Sequence, residues 1–360
     1  MLGLALLLAV VERSGYAVAG AALGAQGAAI AMLAPLGGRL VDRHGRTAVV
    51  GAYVAAHAVA CSGLTVALLT SLPDGVIVVA AAVVGATAPP AAAVTRASWP
   101  ALVEATRLQS AYALDSALNS ASFVIGPLVV GAGAAAAPAT AVLGFAAACR
   151  VIGDLVLVTA RIKAMPGPRS NTRRLGILAD RPVLLTLGMS ALDTFTYGGL
   201  QVAAVAVASA TSGPLLVGAL AGGELAGGLL YGARKQTGPL RRTLGSLHGS
   251  TVLVLAALGV SSGGLVTAAI YAIAGLLSGM RDAVTQVAVH AAAPEGARAE
   301  TFAWLATSMW AGYALGTLVS GQLEHRAGTP AIAFAAALAA TGATLLSTRV
   351  KQPASSSSRL

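Results

Sequence analysis

Eleven stretches of roughly twenty apolar residues, parted by short polar breaks, run the length of this chain of 360 residues. They lie near 17–37, 48–70, 76–95, 108–134, 137–160, 183–210, 213–233, 244–262, 264–290, 299–322 and 328–348. About 20 residues are what an α-helix needs to cross the hydrocarbon of a bilayer. The expected fold is therefore all-α and membrane-embedded. Composition points the same way. The chain is 56% hydrophobic and 10% charged, with a mean hydropathy of +0.79, and a soluble protein of this size needs a charged shell that so few ions cannot supply. Ahead of the first run, Met1–Val11 is apolar but too short to span at about 1.5 Å per residue. It has no basic leader or small-residue cleavage site. It is expected to be the outer half of a first helix whose beginning is missing, through truncation or a mis-set start, which brings the count to twelve.

The charges are topology signals. Arg39, Arg43 and Arg46 follow the first run, and Arg96 and Arg107 the third. Arg161, Lys163, Arg169, Arg173, Arg174 and Arg181 fill the middle of the chain. Arg234, Lys235, Arg241 and Arg242 come next, then Arg298, and Arg349, Lys351 and Arg359 lie in the tail. The intervening turns offer little beyond Arg13 and Arg326. Such asymmetry in short loops places both termini in the cytoplasm. The long basic loop 161–182 divides the chain into an N-terminal bundle, 1–160, and a C-terminal bundle, 183–348, with a disordered tail over 349–360. The net charge of +10 does not signal nucleic acid, since no basic face sits on a soluble domain; it suits anionic lipid headgroups. Only three of the 23 basic residues are Lys, which points to a high-GC bacterial genome and an inner-membrane location. Cys61 and Cys149 lie inside apolar runs and read as buried small hydrophobes, not as a disulfide or metal pair.

Between the first two runs stands Gly38-Arg39-Leu40-Val41-Asp42-Arg43-His44-Gly45-Arg46-Thr47, expected to be a tight turn. It resembles the G-x-L-x-D-R-x-G-R-[RK] signature between helices 2 and 3 of major facilitator superfamily transporters. Gly38, Leu40, Asp42, Arg43, Gly45 and Arg46 all fall in step and only Thr47 departs. A worn copy, Gly228-Leu229-Leu230-Tyr231-Gly232-Ala233-Arg234-Lys235, occupies the corresponding place in the second half. The resemblance implies two six-helix bundles, transport by alternating access, and a latch made by Asp42 and Arg43. Gly126-Pro127-x3-Gly131 resembles part of the G-P-x-x-G-G pattern of antiporters in the superfamily. Physically, Pro127 removes a backbone donor and bends its helix, and the glycines admit a close neighbour.

Inside the runs a few polar residues line up at helical spacing. Asp115, Asn119, Ser122 and Gly126 share one face, and Thr186, Ser190, Asp193, Tyr197 and Gln201 share another. A charge at the centre of a membrane helix costs at least about 2.5 kcal/mol, so Asp115 and Asp193 should face protein or a watery cavity. They are the carboxylates expected to carry a proton or contact substrate. Glu224, among Gly218, Gly222, Gly223, Gly227 and Gly228, is a third candidate. Arg150 and Asp154 are spaced to pair along one helix; Arg281 and Asp282 invite the same structural reading. Glu12 and Arg13 should lie at the outer water interface. Proton-driven exporters of this superfamily often carry an Arg within the fourth helix; here Pro89 and Pro90 stand there instead.

No Walker loop, zinc spacing or nucleophile elbow is present, so neither an enzyme nor a cofactor or metal site is expected. The reading is a monomeric secondary transporter of small, partly hydrophobic molecules, of the drug-exporter kind, with protons as the second partner. Its rivals are an uptake carrier for a polar nutrient and a non-transporting scaffold or inactive paralogue.

Overall fold

The computed structural model describes residues 1–44, 46–70, 72–91, 95, 102–104, 108–159, 180–208, 212–233, 239–261, 264–293 and 298–350. Of residues 34, 35, 38, 39, 41–43, 46, 108–117, 119, 120, 157, 290 and 298–300 it describes the backbone alone. The elements are all helices: α1 (Leu2–His44), α2 (Arg46–Leu69), α3 (Asp74–Ala86), α4 (Leu108–Ala136), α5 (Ala139–Thr159), α6 (Arg181–Val207), α7 (Gly213–Gly232), α8 (Leu240–Gly259), α9 (Gly264–Ala292), α10 (Arg298–Ala327) and α11 (Thr329–Ser347). No strand occurs among the described residues. Six of them, α1, α2, α5, α7, α9 and α11, are long and apolar enough to cross a membrane. The more polar α6, α8 and α10 fall outside that measure, and they supply much of the polar interior described below.

Three details differ from expectation. The decapeptide is not a ten-residue turn. Helix continues through His44 and is again present from Arg46; Gly45 between them lies outside the described residues. The run expected over 76–95 is not one unbroken helix: it stops at Ala86, where Pro89 and Pro90 supply no N–H to continue the ladder, and is helical again at Ala91 and Thr95. Of the two cysteines, both free, Cys61 is buried but Cys149 is exposed, on a face of α5 shared with exposed Phe145 and Ile152. At the end of the chain, Val350 is buried in one cluster with Met189 and Leu244; residues 351–360 lie outside the described part, as does most of the 161–182 loop.

The first helix breaks at Gly15, whose φ of 78° and ψ of 179° lie outside helical space and suit a residue without Cβ. The arm 2–14 is buried from Leu4 through Val10 and reverses into the long arm 16–44. Charges at this reversal meet helix ends of opposite sign. Arg13 donates to the last carbonyls of α2, at Ala67 and, at 2.9 Å, Leu68. Glu12 accepts from the first N–H of α5, at Ala139, over 3.4 Å. Ser14 donates at 2.6 Å to Asp74, in the first turn of α3. A cation on the carbonyl end of one helix and carboxylates on the amide ends of two others all complement the macrodipoles. Glu12 and Arg13, expected at the outer water interface, thus take part with Ser14 and Asp74 in a charged clamp on three helices.

Between helices the contact is backbone to backbone. On α7, a Cβ at Gly223 or Gly227 would run into the carbonyls of Ala272 or Leu276; on α9, one at Gly275 or Gly279 would run into those of Leu220 or Glu224. Four glycines, paired at i and i+4 on each helix, thus interlock in both directions. The long arm of α1 meets α10 in the same manner, with Gly24 facing the carbonyl of Ala314 and Gly321 facing that of Tyr16. This α1–α10 contact and that of α4 with α7 are the main joins between helices α1–α5 and α6–α11 among the described residues. Two hydrogen bonds cross at the Gly15 end: Tyr16 Oη donates to Val205 O at 3.2 Å, and Gln322 Nε2 to Ala17 O at 3.3 Å.

Replacing a seam glycine should therefore push helices apart. Gly223→Val and Gly227→Val are each expected to destabilise the bundle by about 1–3 kcal/mol, read as a lower midpoint of thermal unfolding in detergent. Gly222→Ala, one residue away with nothing within 4 Å of its Cβ position, should leave the midpoint unchanged.

Candidate functional site

The polar stripe on α6 does not act as a unit. Thr186 and Ser190 are buried, and their hydroxyls donate to carbonyls of their own helix, at Pro182 (2.9 Å) and Thr186 (3.1 Å). Both hydroxyls are thus satisfied within their own helix. Asp193, one turn further on, reaches away from its helix and meets α8 and α9. Its Oδ1 lies 3.1 Å from Nε2 of His248 and 3.0 Å from Nε of Arg281. The Arg281 Nε contact acts through charge more than through an aligned hydrogen bond. Arg281 is anchored in turn by Nη1, which donates to Thr251 of α8.

Arg281 thus pairs with Asp193 of another helix, not with its neighbour Asp282 as its sequence position suggested. Successive residues on a helix point about 100° apart and do not face each other. Asp282 is exposed and holds a hydrogen bond with Gln286. Glu224 is half-buried on α7, within the electrostatic reach of Asp282 and Arg281. The cluster therefore gathers three carboxylates, a guanidinium and an imidazole from four helices.

His248 is the member that sequence reasoning passed over. It is wholly enclosed, with Nδ1 at 2.8 Å from the carbonyl of Leu244 and Nε2 toward Asp193. Its signal was a lone imidazole four residues after Leu244 and three before Thr251, inside an apolar run. Nothing local distinguishes such a residue from a packed core histidine.

Gln201 and Tyr197 extend the site toward α10. Tyr313 donates to Gln201 Oε1 at 2.8 Å, and Trp310 meets the Tyr313 ring edge-on, with centroids 5.8 Å apart and planes at 86°. Tyr197, half-buried, lies in the electrostatic reach of Glu224 and Tyr313. Gly3 of the short arm approaches Tyr313 as well, its Cβ position 3.7 Å from the hydroxyl.

The first half holds its own polar cluster. Arg150 and Asp154 of α5 pair at 2.7 Å, and Arg150 Nη2 donates to Pro89 O at 3.4 Å. A guanidinium thus reaches the proline-broken end of α3 from a neighbouring helix. His57, also buried, sets Nδ1 3.3 Å from the Thr87 hydroxyl. Gly126 and Pro127 are buried on α4; Gly126 receives Met1, with the Met1 Cβ 3.3 Å from its own Cβ position. Gly131 is buried on the same helix, and Ser122 donates to its own helix at Leu118 O, 2.9 Å away. Asp115 and Asn119 belong to α4, and Gly38, Asp42 and Arg43 to the long arm of α1; their side chains, that of Arg46, and all of Gly45 lie outside the described part.

No family model matches the sequence, and no curated protein matches it. Solved structures do. The chain is similar to the inward-open conformation of the xylose transporter XylE from E. coli, with 11% identity and a TM-score of 0.73, over 98% of this chain and 94% of that one. It is similar to the nucleoside transporter NupG, with 13% identity and a TM-score of 0.73, over 97% and 94%. It is similar to the human organic anion transporter MFSD10, with 16% identity and a TM-score of 0.63, over 92% and 84%. At such identities the likeness is one of architecture, and because it runs nearly end to end, the chain has the major facilitator fold.

Proposed function

We propose that this chain is a secondary active transporter that moves small, partly hydrophobic molecules out of a bacterial cell by alternating access, in exchange for protons. The observation that carries the reading is the cluster of Asp193, His248 and Arg281, set between helices of an apolar bundle. Charge in such a place is costly and is kept where a pathway or a relay needs it. The two bundles, 1–160 and 183–348, move against each other about the α1–α10 and α4–α7 joins, and the Gly15 end, crossed by the Tyr16 and Gln322 bonds, is the gate that is shut. Asp42 and Arg43 latch the opposite end. Asp193 carries the coupling, with Asp115 and Glu224 as further carboxylates on the route. The protein works as a monomer in the inner membrane, against anionic headgroups, and needs no cofactor. Gln201, Tyr313 and Trp310 favour one other reading, uptake of a polar nutrient, because an amide, a phenol and an indole are groups that hold hydroxylated molecules.

The Arg distribution puts the Gly45 end and both termini in the cytoplasm. Reporter fusions at Asn171 and Leu360 are expected to read cytoplasmic; a periplasmic signal from either reverses the orientation.

Counterflow into proteoliposomes, with a panel of amphiphilic drugs, sugars and nucleosides and with or without a pH gradient, tests the transport reading. Drug movement driven by the gradient supports export; sugar or nucleoside movement alone supports uptake; no movement supports the scaffold. Asp193→Asn should abolish gradient-driven transport while sparing exchange of substrate for substrate. It also leaves Arg281 buried without its counter-ion, a loss of about 3–5 kcal/mol. The paired variant Asp193→Asn with Arg281→Gln should recover thermal stability but not coupling. Asp42→Asn is expected to slow the cycle with substrate affinity little changed.

A further inference from the structure

Both ring nitrogens of His248 face acceptors. Nδ1 is 2.8 Å from the Leu244 carbonyl, and Nε2 is 3.1 Å and 3.3 Å from the two oxygens of Asp193. A neutral imidazole carries one N–H, so one of these contacts would bring a lone pair against an oxygen in a site closed to water. The geometry is satisfied throughout only when the ring carries two protons or when the carboxylate carries one. Arg281 decides between them. Its guanidinium stands 3.0 Å from the same Asp193 oxygen and favours the ionised carboxylate. The extra proton therefore belongs on Nε2.

We propose that His248 is the proton-holding group of this chain, with Asp193 as the gateway through which the proton enters and leaves. This rests on the transport reading above and names the chemical unit that would serve it. Exposure assigns the roles. The side chain of His248 is 0% exposed and that of Arg281 4%, whereas Asp193 is 20% exposed, so a proton from water meets the carboxylate first. It bonds to an Asp193 oxygen; that O–H bond breaks as the Nε2–H bond forms, leaving imidazolium beside carboxylate. Release runs the steps backward. Once the proton has gone, Nε2 is an acceptor facing a carboxylate, and Asp193 is repelled from α8 and held only by Arg281 of α9. Loading and unloading thus make and break the tie of α6 to α8 while Arg281 keeps the tie to α9, a mechanical consequence that a proton on an isolated carboxylate would lack.

The other ions near the triad are Asp282, beside Arg281 on α9, and Glu224 on α7. Tyr197 of α6 and Tyr313 of α10 stand beyond them, and α11 carries no titratable residue. With His248 neutral and every carboxylate ionised, one cation faces three anions; loading His248 brings the cluster closer to balance. Charge and hydrogen bonding favour the same loaded state.

The test uses the full chain, labelled with 15N-histidine and held in lipid nanodiscs. There are five histidines, and His248→Gln identifies the resonance by its loss. With both contacts kept, His248 is expected to show two protonated ring nitrogens, the Nε2 proton being the one it gives up. In Asp193→Asn it should become neutral with the proton on Nδ1, because an amide can donate to Nε2; Asp193→Glu should restore the doubly protonated ring. His57, which has no carboxylate in ion-pair reach among the described residues, is the control: His57→Gln should leave the His248 titration unmoved. A neutral His248 across the whole pH range, or a doubly protonated one that persists in Asp193→Asn, overturns the proposal. In proteoliposomes, His248→Gln should flatten the pH profile of gradient-driven drug transport and spare exchange; an unchanged profile also overturns it. If no compound of the panel moves, the transport reading falls and the resonance alone decides whether the proton site exists.

Discussion

A helix surrounded by lipid gains nothing by hiding an apolar side chain, because the solvent is as apolar as the side chain. Cohesion has to come from close contact, and here that contact is between backbones at glycines. The interlock of Gly223 and Gly227 with Gly275 and Gly279 does more than join two helices. Arg281 follows Gly279 by half a turn, and Glu224 supplies a carbonyl on which Gly279 rests. The depth at which α7 and α9 lock therefore sets the height at which guanidinium and carboxylate stand. On the other side, Gly312 and Gly316 press α10 onto the backbone of α6 at Ala191 and Phe195, on either side of Asp193. The charged cluster sits where it does because two glycine seams hold its helices at fixed depth.

The same residue types do different work at different depths. At the Gly15 end, Glu12, Arg13 and Asp74 meet the partial charges of helix termini near the bundle surface, where such contacts give about 0.3–1 kcal/mol each. Further in, the charges of Asp193, Arg281 and His248 answer one another, with the Thr251 hydroxyl and the Leu244 carbonyl as their other partners. Removing one partner strands the rest in a medium of low dielectric, so that cluster is costly to break and sensitive to a single proton. A terminal clamp can be rigid without being a switch; the interior triad is, on the proposal above, where moving a proton rearranges contacts.

Much of the architecture was legible in the chain itself. The twenty-residue apolar runs announced helices, and most observed ends fall within a few residues of those runs. Where they do not, the departures are local: prolines at 89 and 90 end α3 early, and helix runs on into the decapeptide as far as His44. Asp193 and Glu224 stood out as carboxylates in apolar surroundings, and that inference needed only the cost of burying charge. Their partners did not stand out. Arg281 looked like a neighbour of Asp282, and His248 looked like nothing at all.

The difference has a physical origin. Hydropathy and helix period are summed along the chain, so sequence alone determined that this is a multi-helix membrane protein, roughly where most of its helices lie, and which residues are too polar to face lipid. Pairing between helices depends on how each is rotated about its axis and how deeply it sits against the next. A step of one residue turns a side chain by about 100° and moves it about 1.5 Å, enough to exchange one partner for another. Those rotations and depths are settled by where glycines let backbones meet across the bundle. Only the tertiary structure could decide that Asp193 of α6, His248 of α8 and Arg281 of α9 form one site.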